Sequence, residues 1–203
     1  MAIFHHHPLI LASGSRIRQQ MLKSCGLTFS VEPSGVDEEA LTPTLAHLAV
    51  PERALALAKA KALAVSQRHP KAYVIGADQM CHLNGQVFGK PGSFDKAESQ
   101  LKKLSGHTHE QHCGCVIAHG GEIIWQSMSV ARLSMRALTP AQIHAYVAVD
   151  APLDSCGAYQ FESLGRHLFS AVDGDHDVIK GLPLLSLLSE LHARGVIGFK
   201  DAP

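Results

Sequence analysis

The stretch VIGADQMCHLNGQVFGKP, Val74 to Pro91, decides how this chain is read. Val74 and Ile75 are strand formers, and the small Gly76-Ala77 pair leads into Asp78. The run therefore reads as a buried strand that delivers a carboxylate at its end. Asn84-Gly85 follows, and both residues tolerate the positive φ of a type I′ turn, which predicts a hairpin. Such a hairpin carries Lys90 back toward the level of Asp78. A carboxylate and an ammonium held at one rim are either a structural ion pair or two parts of a phosphate site.

On the N-terminal side, Leu9 to Ala12 form a short apolar strand broken by Ser13-Gly14-Ser15. Ser15 is a good N-cap for a helix with Ile17, Met21 and Leu22 at helical spacing, and Gly26 is its stop. Phe29 and Val31 suggest another short strand, and VDEEAL reads as an acidic turn. Pro51 to about Gln67 is an alanine-rich helix with Pro51 in its first turn. On the C-terminal side, Ser93 caps a helix that ends near Gly106. From His107 to about Leu138 the pattern is β, with Gly120-Gly121 as the turn between two long strands. Thr139-Pro140 opens a helix, and a last one runs from Pro183 to about Ala193. The fold class is α/β, a mixed central sheet flanked by helices, with no repeat or linker dividing residues 1–203.

The chain has 203 residues, 46% of them hydrophobic, enough for one large α/β domain or two small lobes around a cleft. Its 18 basic and 18 acidic residues give a formal net charge of 0, which argues against broad binding of nucleic acid or acidic membranes. No apolar run is long enough to span a bilayer, and MAIFHHHPLILASGS has neither the basic start nor the apolar run of a signal peptide. Five scattered cysteines then read as reduced thiols in a cytoplasmic protein.

Four groups of residues could carry chemistry. Ser13-Gly14-Ser15 before a helix start offers hydroxyls and free backbone N–H groups to an anion, and Arg18 lies in the first turn; an ordinary capped helix has the same composition. Asp37-Glu38-Glu39 is either a solvated turn or a source of oxygen ligands for Mg²⁺, with Asp78 as companion. Lys59 and Lys61 are two apart on a helix and point roughly 200° apart, so only one can line a cleft. Lys90 is fixed after the hairpin. HTHEQHCGC invites a zinc reading, but its spacing fits no standard finger. Strand alternation also puts His109, Cys113 and Cys115 on one face and His112 on the other. His5 to His7 read as an N-terminal arm.

In order, LILASGSRIRQQML, VDEEAL, AKAKAL, IGADQMCHLNGQVFGKP, LSGHTHE, LTPAQIHAYV, GAYQFESLG and IKGLPLLSLLSEL resemble the Maf (septum formation inhibitor) family from Leu9 to about Leu191. The resemblance implies two lobes around a deep nucleotide cleft. It also implies cleavage of a nucleoside triphosphate to monophosphate and pyrophosphate with a divalent cation, Mg²⁺ or Mn²⁺. On it, Asp78 matches the catalytic aspartate, as proton acceptor or metal ligand, and Glu38 the acidic residue near the metal. Ser13, Ser15 and Arg18 match the phosphate loop, and Lys61 and Lys90 the phosphate-facing lysines. The resemblance also suggests a homodimer.

The chain departs from the family pattern at Arg16-Ile17, where Pro-Arg is common, and at Ser155, where Lys is common. Arg16 or Arg166 is then the substitute cation. Asp78-Gln79 and Glu162 resemble the branch acting on 7-methyl-GTP, although Ile17, Tyr159 and Gln160 are not diagnostic of it. A carboxylate such as Glu162 accepts from guanine N1–H and N2–H₂ and favours a cationic methylated base. The substituted Arg and Lys also motivate an alternative, a nucleotide-binding regulator of septum formation with weak catalysis.

Overall fold

The computed structural model describes residues 3–199, in the order β1 (Ile3–His5), β2 (Leu9–Leu11), α1 (Arg16–Ser24), β3 (Ser30–Val31), α2 (Glu38–Thr44) and α3 (Val50–Ser66). There follow β4 (Tyr73–Leu83), β5 (Gln86–Phe88), α4 (Phe94–Leu104), β6 (Thr108–His119), β7 (Glu122–Met135) and α5 (Pro140–Asp150). A 3₁₀ turn (Leu164–Leu168), β8 (Phe169–Asp173), α6 (His176–Lys180), α7 (Leu184–Ala193) and β9 (Ile197–Phe199) complete the chain. The strand order is β3-β2-β4-β6-β7-β8, with β5 on β4, and β1 pairs separately with β9. This is the mixed α/β class expected.

Contacts divide the chain into two compact units. The first holds the described residues up to Asp78, Cys113–Ser129 and those from Gly181 onward; the second holds Gln79–His112 and Val130–Lys180.

In the first unit β2 pairs in parallel with both β3 and β4, and side-chain alternation sorts its core into two layers. Leu9, Leu11, Ile75 and Ala77 pack with Met21 and Leu22 of α1 and Leu184, Leu187 and Leu191 of α7. Ile10, Ala12 and Val74 pack on the other side with Ala58, Ala62 and Val65 of α3. The alanines explain how closely α3 lies. A Cβ added at Gly76 would stand 2.4 Å from the Ala58 carbonyl oxygen, and one at Gly114 would stand 2.6 Å from Leu55 Cα. Two glycines on neighbouring strands thus admit the helix backbone itself.

In the second unit α4 packs against α5, and α5 against the 3₁₀ turn. The turn expected at Asn84-Gly85 is present, with φ of 49° and 83°, and closes a ladder that pairs Cys81 with Phe88. Tyr159, Phe161, Phe169 and His109 form one aromatic cluster.

The acidic turn VDEEAL is instead the helix α2, started by Asp37, whose Oδ1 accepts from Ala40 N at 3.0 Å. An Asp N-cap followed by two glutamates is a good helix start, and Pro43 in its last turn hid it. The histidine arm is also partly structured. His5 ends β1 and accepts from Thr28 N through Nε2, and β1 pairs antiparallel with β9. Three-residue strands carry too little periodicity to announce themselves. None of the five cysteines is joined in a disulfide.

Candidate active site

α3 turns its Ala54, Ala58, Ala62 face onto the sheet, and Lys61 lies on the same side of the helix, buried. On β4, Val74, Gly76 and Asp78 share the face toward α3 by alternation. The close approach at Gly76 therefore brings Lys61 onto Asp78. Its Nζ donates to Asp78 Oδ1 at 2.6 Å and lies 3.0 Å from Glu38 Oε1, at the start of α2. Asp78 is buried, whereas half of the Glu38 side chain is exposed. Burial pushes the Asp78 carboxyl above its usual range, and the Lys61 ammonium pulls the other way without cancelling it. Lys61 faces the carboxylates and Lys59 does not, in keeping with a helical angle that lets only one of the two do so.

The serine loop adjoins this triad. Arg18 is buried, its Nε donating to Gly181 O at 2.9 Å and its Nη1 to Ala77 O at 2.9 Å and Ser13 Oγ at 3.2 Å. It thus fastens the residue before Asp78 to the loop that precedes α7. Ser15 occupies the N-cap position of α1, but its hydroxyl makes no capping bond; Ser13 Oγ instead accepts from Ser15 N. Ile17 is partly buried and packs against the apolar layer beneath.

The second unit holds Gln79, Lys90 and Glu162. The Gln79 Nε2 donates to Val178 O at 3.1 Å and to Ile179 O at 2.6 Å, so its amide N–H groups secure α6. Glu162 is exposed in the turn after Phe161. Lys90 is exposed beyond the hairpin and lines a cleft of about 250 Å³ with Lys96, Lys103, Gln86, Ser99 and Gln100. Lys96 and Lys103 went unremarked in the sequence. Their i, i+7 spacing on α4, with Ser99 and Gln100 between, was the available signal.

The sequence matches the family described as Maf-like protein over residues 8–194. The chain belongs to the Maf-like family. Among its curated relatives, "Nucleoside triphosphate pyrophosphatase" of Nitrobacter winogradskyi is 44% identical over 200 residues, 97% of this chain and 99% of that one. The protein of the same description from Legionella pneumophila is 43% identical over 192 residues, covering 94% of this chain and 96% of that one. The Nitrobacter hamburgensis relative is 45% identical over 192 residues, 94% and 95% of the two chains. Among solved structures, a HAM1 protein from Coxiella burnetii covers 93% of this chain and 99% of its own at 11% identity. Its TM-score of 0.41 is too low to bear on fold or function.

In this Maf-like chain the geometry gives Asp78 a cationic neighbour and a second carboxylate. Asp78 and Glu38 each hold an oxygen within 3.0 Å of one ammonium. Two hard oxygen donors converging on one positive charge, one of them half-exposed, form a set that a divalent cation fits.

Proposed function

We propose that the chain hydrolyses a nucleoside triphosphate to the monophosphate and pyrophosphate at Asp78. The observation that carries this reading is the buried Lys61 ammonium held between Asp78 and Glu38 beside the Ser13–Ser15 loop. The named activity of relatives more than 40% identical over nearly their whole length supports it.

In this reading Asp78 takes the proton of the attacking water, and burial raises its proton affinity in the direction that favours a base. Lys61 leaves the carboxylates for the phosphates as substrate arrives, and with Lys90 it balances charge gathering on the α-phosphate and the pyrophosphate leaving group. Ser13 and Ser15 offer hydroxyls to the phosphates. Arg18 keeps the Ala77–Asp78 peptide in place from beneath. Glu38 and Asp78 would hold Mg²⁺ or Mn²⁺, which supplies a more acidic water and offsets phosphate charge.

The substrate we propose is a modified or non-standard nucleotide, with 7-methyl-GTP foremost. Glu162 is the acceptor for the guanine edge, and Gln79 acts by fixing α6 rather than through its amide N–H groups. The test is pyrophosphate release from a panel of 7-methyl-GTP, GTP, dTTP and UTP, with each cation and with chelator. The expected result is cation-dependent release, highest with 7-methyl-GTP and lowered most for that substrate by Glu162→Gln. Preference for dTTP or UTP would overturn the substrate, and full activity in chelator would overturn the metal.

A further inference from the structure

Within the second unit, β4 and β6 are neighbours in the sheet and bring together three side chains that the nucleotide reading does not use. His82 lies on β4, and Glu110 and His112 on β6. His112 Nε2 is 2.9 Å from Glu110 Oε2, and His82 Nδ1 is 3.8 Å from the same oxygen. All three ligand atoms fall within 4.8 Å of one another. For Zn²⁺ with bonds near 2.0–2.2 Å, tetrahedral ligands stand roughly 3.3 Å apart, and the separations of 2.9 and 3.8 Å straddle that value.

A second observation points the same way. The His112 side chain is only 8% exposed, and its Nε2 is buried without an aligned hydrogen bond. A polar atom sealed from water whose near neighbour is a poorly aligned carboxylate oxygen is costly unless something else occupies its lone pair. The neighbouring groups orient the carboxylate. Arg132 Nε donates to the other oxygen of Glu110, Oε1, at 3.1 Å, which orients the carboxylate and leaves Oε2 toward the histidines. Arg132 is itself 3.8 Å from Asp173 Oδ2, which offsets its charge. His82 and Glu110 are about a quarter to a third exposed and give an entry path.

We propose that His82 Nδ1, Glu110 Oε2 and His112 Nε2 form a binding site for a borderline transition-metal dication of the Zn²⁺ class, clipping β4 to β6. Two imidazoles and one carboxylate select this class over Mg²⁺, which demands oxygen ligands. The ligand set differs from the His109, Cys113, Cys115 face that strand alternation offered, because the buried His112 faces β4 with Glu110. Binding has one local consequence. Gly85 N donates to His82 Nε2 at 3.0 Å, which places the ring proton of neutral His82 on Nδ1. Metal at Nδ1 releases that bond, and the exposed Gly85 N–H turns to water.

The site is independent of the nucleotide reading and is tested without nucleotide. Full-length protein is titrated with Co²⁺, followed by its visible d–d absorption, and with Zn²⁺, followed by the Gly85 amide resonance and the Tm. In excess Mg²⁺, which occupies the oxygen ligands of Asp78 and Glu38, one equivalent is expected, with the Gly85 signal displaced and the Tm raised. Glu110→Gln and His112→Asn should lose that equivalent and all three signals. Asp78→Asn and a His6→Asn/His7→Asn variant should keep them, separating this site from the triad and from the N-terminal histidines. Glu110→Gln alters a partly exposed side chain and decides the matter even if His112→Asn does not fold. Binding unchanged in Glu110→Gln, or lost only in the Asp78 or His6/His7 variants, overturns the proposal.

Discussion

Lys61 is held between Asp78 and Glu38, and in the proposed reaction a phosphate competes for it. Its ammonium compensates Asp78, so Lys61→Met removes both a phosphate contact and the force that lowers the Asp78 proton affinity. A loss of roughly 10²–10³ in kcat is expected, the scale for one preorganised charge at a reacting phosphate. The pH profile separates this from simple misfolding. Asp78 is raised above an ordinary carboxyl by burial and must ionise to act as base, so activity falls as pH drops through that raised value. In Lys61→Met the opposing pull is gone, and the acid limb of kcat/KM should move to still higher pH. A limb at or below its original position would show that Lys61 is not coupled to Asp78. The identities of Asp78, Glu38 and Lys61 were legible in the sequence, but their mutual contact was not. It depends on a helix–strand separation that only Gly76 and the alanine face define.

α3 is the element that sets this separation. Gly76→Ala places a methyl 2.4 Å from the Ala58 carbonyl oxygen and 2.7 Å from the Ala62 methyl. Backbone cannot yield as a side chain can, so a loss of about 3 kcal/mol is expected, read as a lower urea midpoint. Activity should fall beyond what the folded fraction explains, because the shift displaces Lys61 from Asp78. The hairpin is a contrasting case. Asn84 and Gly85 both have positive φ in open, exposed backbone, and Asn84-Gly85 could be read directly because a two-residue turn is local chemistry. Gly76 reads the same on paper as any strand glycine, since its reason lies some 20 residues away on another element. α2 was missed for a related cause: Pro43 argues locally against a helix that Asp37 starts from outside.

Across the whole molecule, pH stability is governed partly by a histidine that is not part of the triad. His109 is buried among Tyr159 and Phe169 with Nε2 2.9 Å from the Tyr159 hydroxyl, and burial lowers its pKa to about 4. The unfolded chain takes up this proton near pH 6.5 and the folded chain only near pH 4. The contribution is thus fully present above pH 6.5 and is lost as pH falls toward 4, a change of about 3 kcal/mol. Urea unfolding of His109→Phe should show a shallower pH dependence than the natural chain across that window; parallel curves would contradict it. At this scale the α/β class and the order of the longer elements were legible, since capping residues, Gly turns and strand runs are local signals. The short strands β1, β8 and β9, the basic face of α4 and the partner of Gln79 were not, because long-range contact alone defines them. The central claim, that Asp78 serves cleavage between the α- and β-phosphates, is tested most directly by quantifying phosphorus-containing products from a turned-over nucleoside triphosphate. Equimolar monophosphate and pyrophosphate are expected, with the rate reduced roughly 10²–10⁴-fold in folded Asp78→Asn. Orthophosphate and diphosphate as products, or an undiminished rate in that variant, would contradict it.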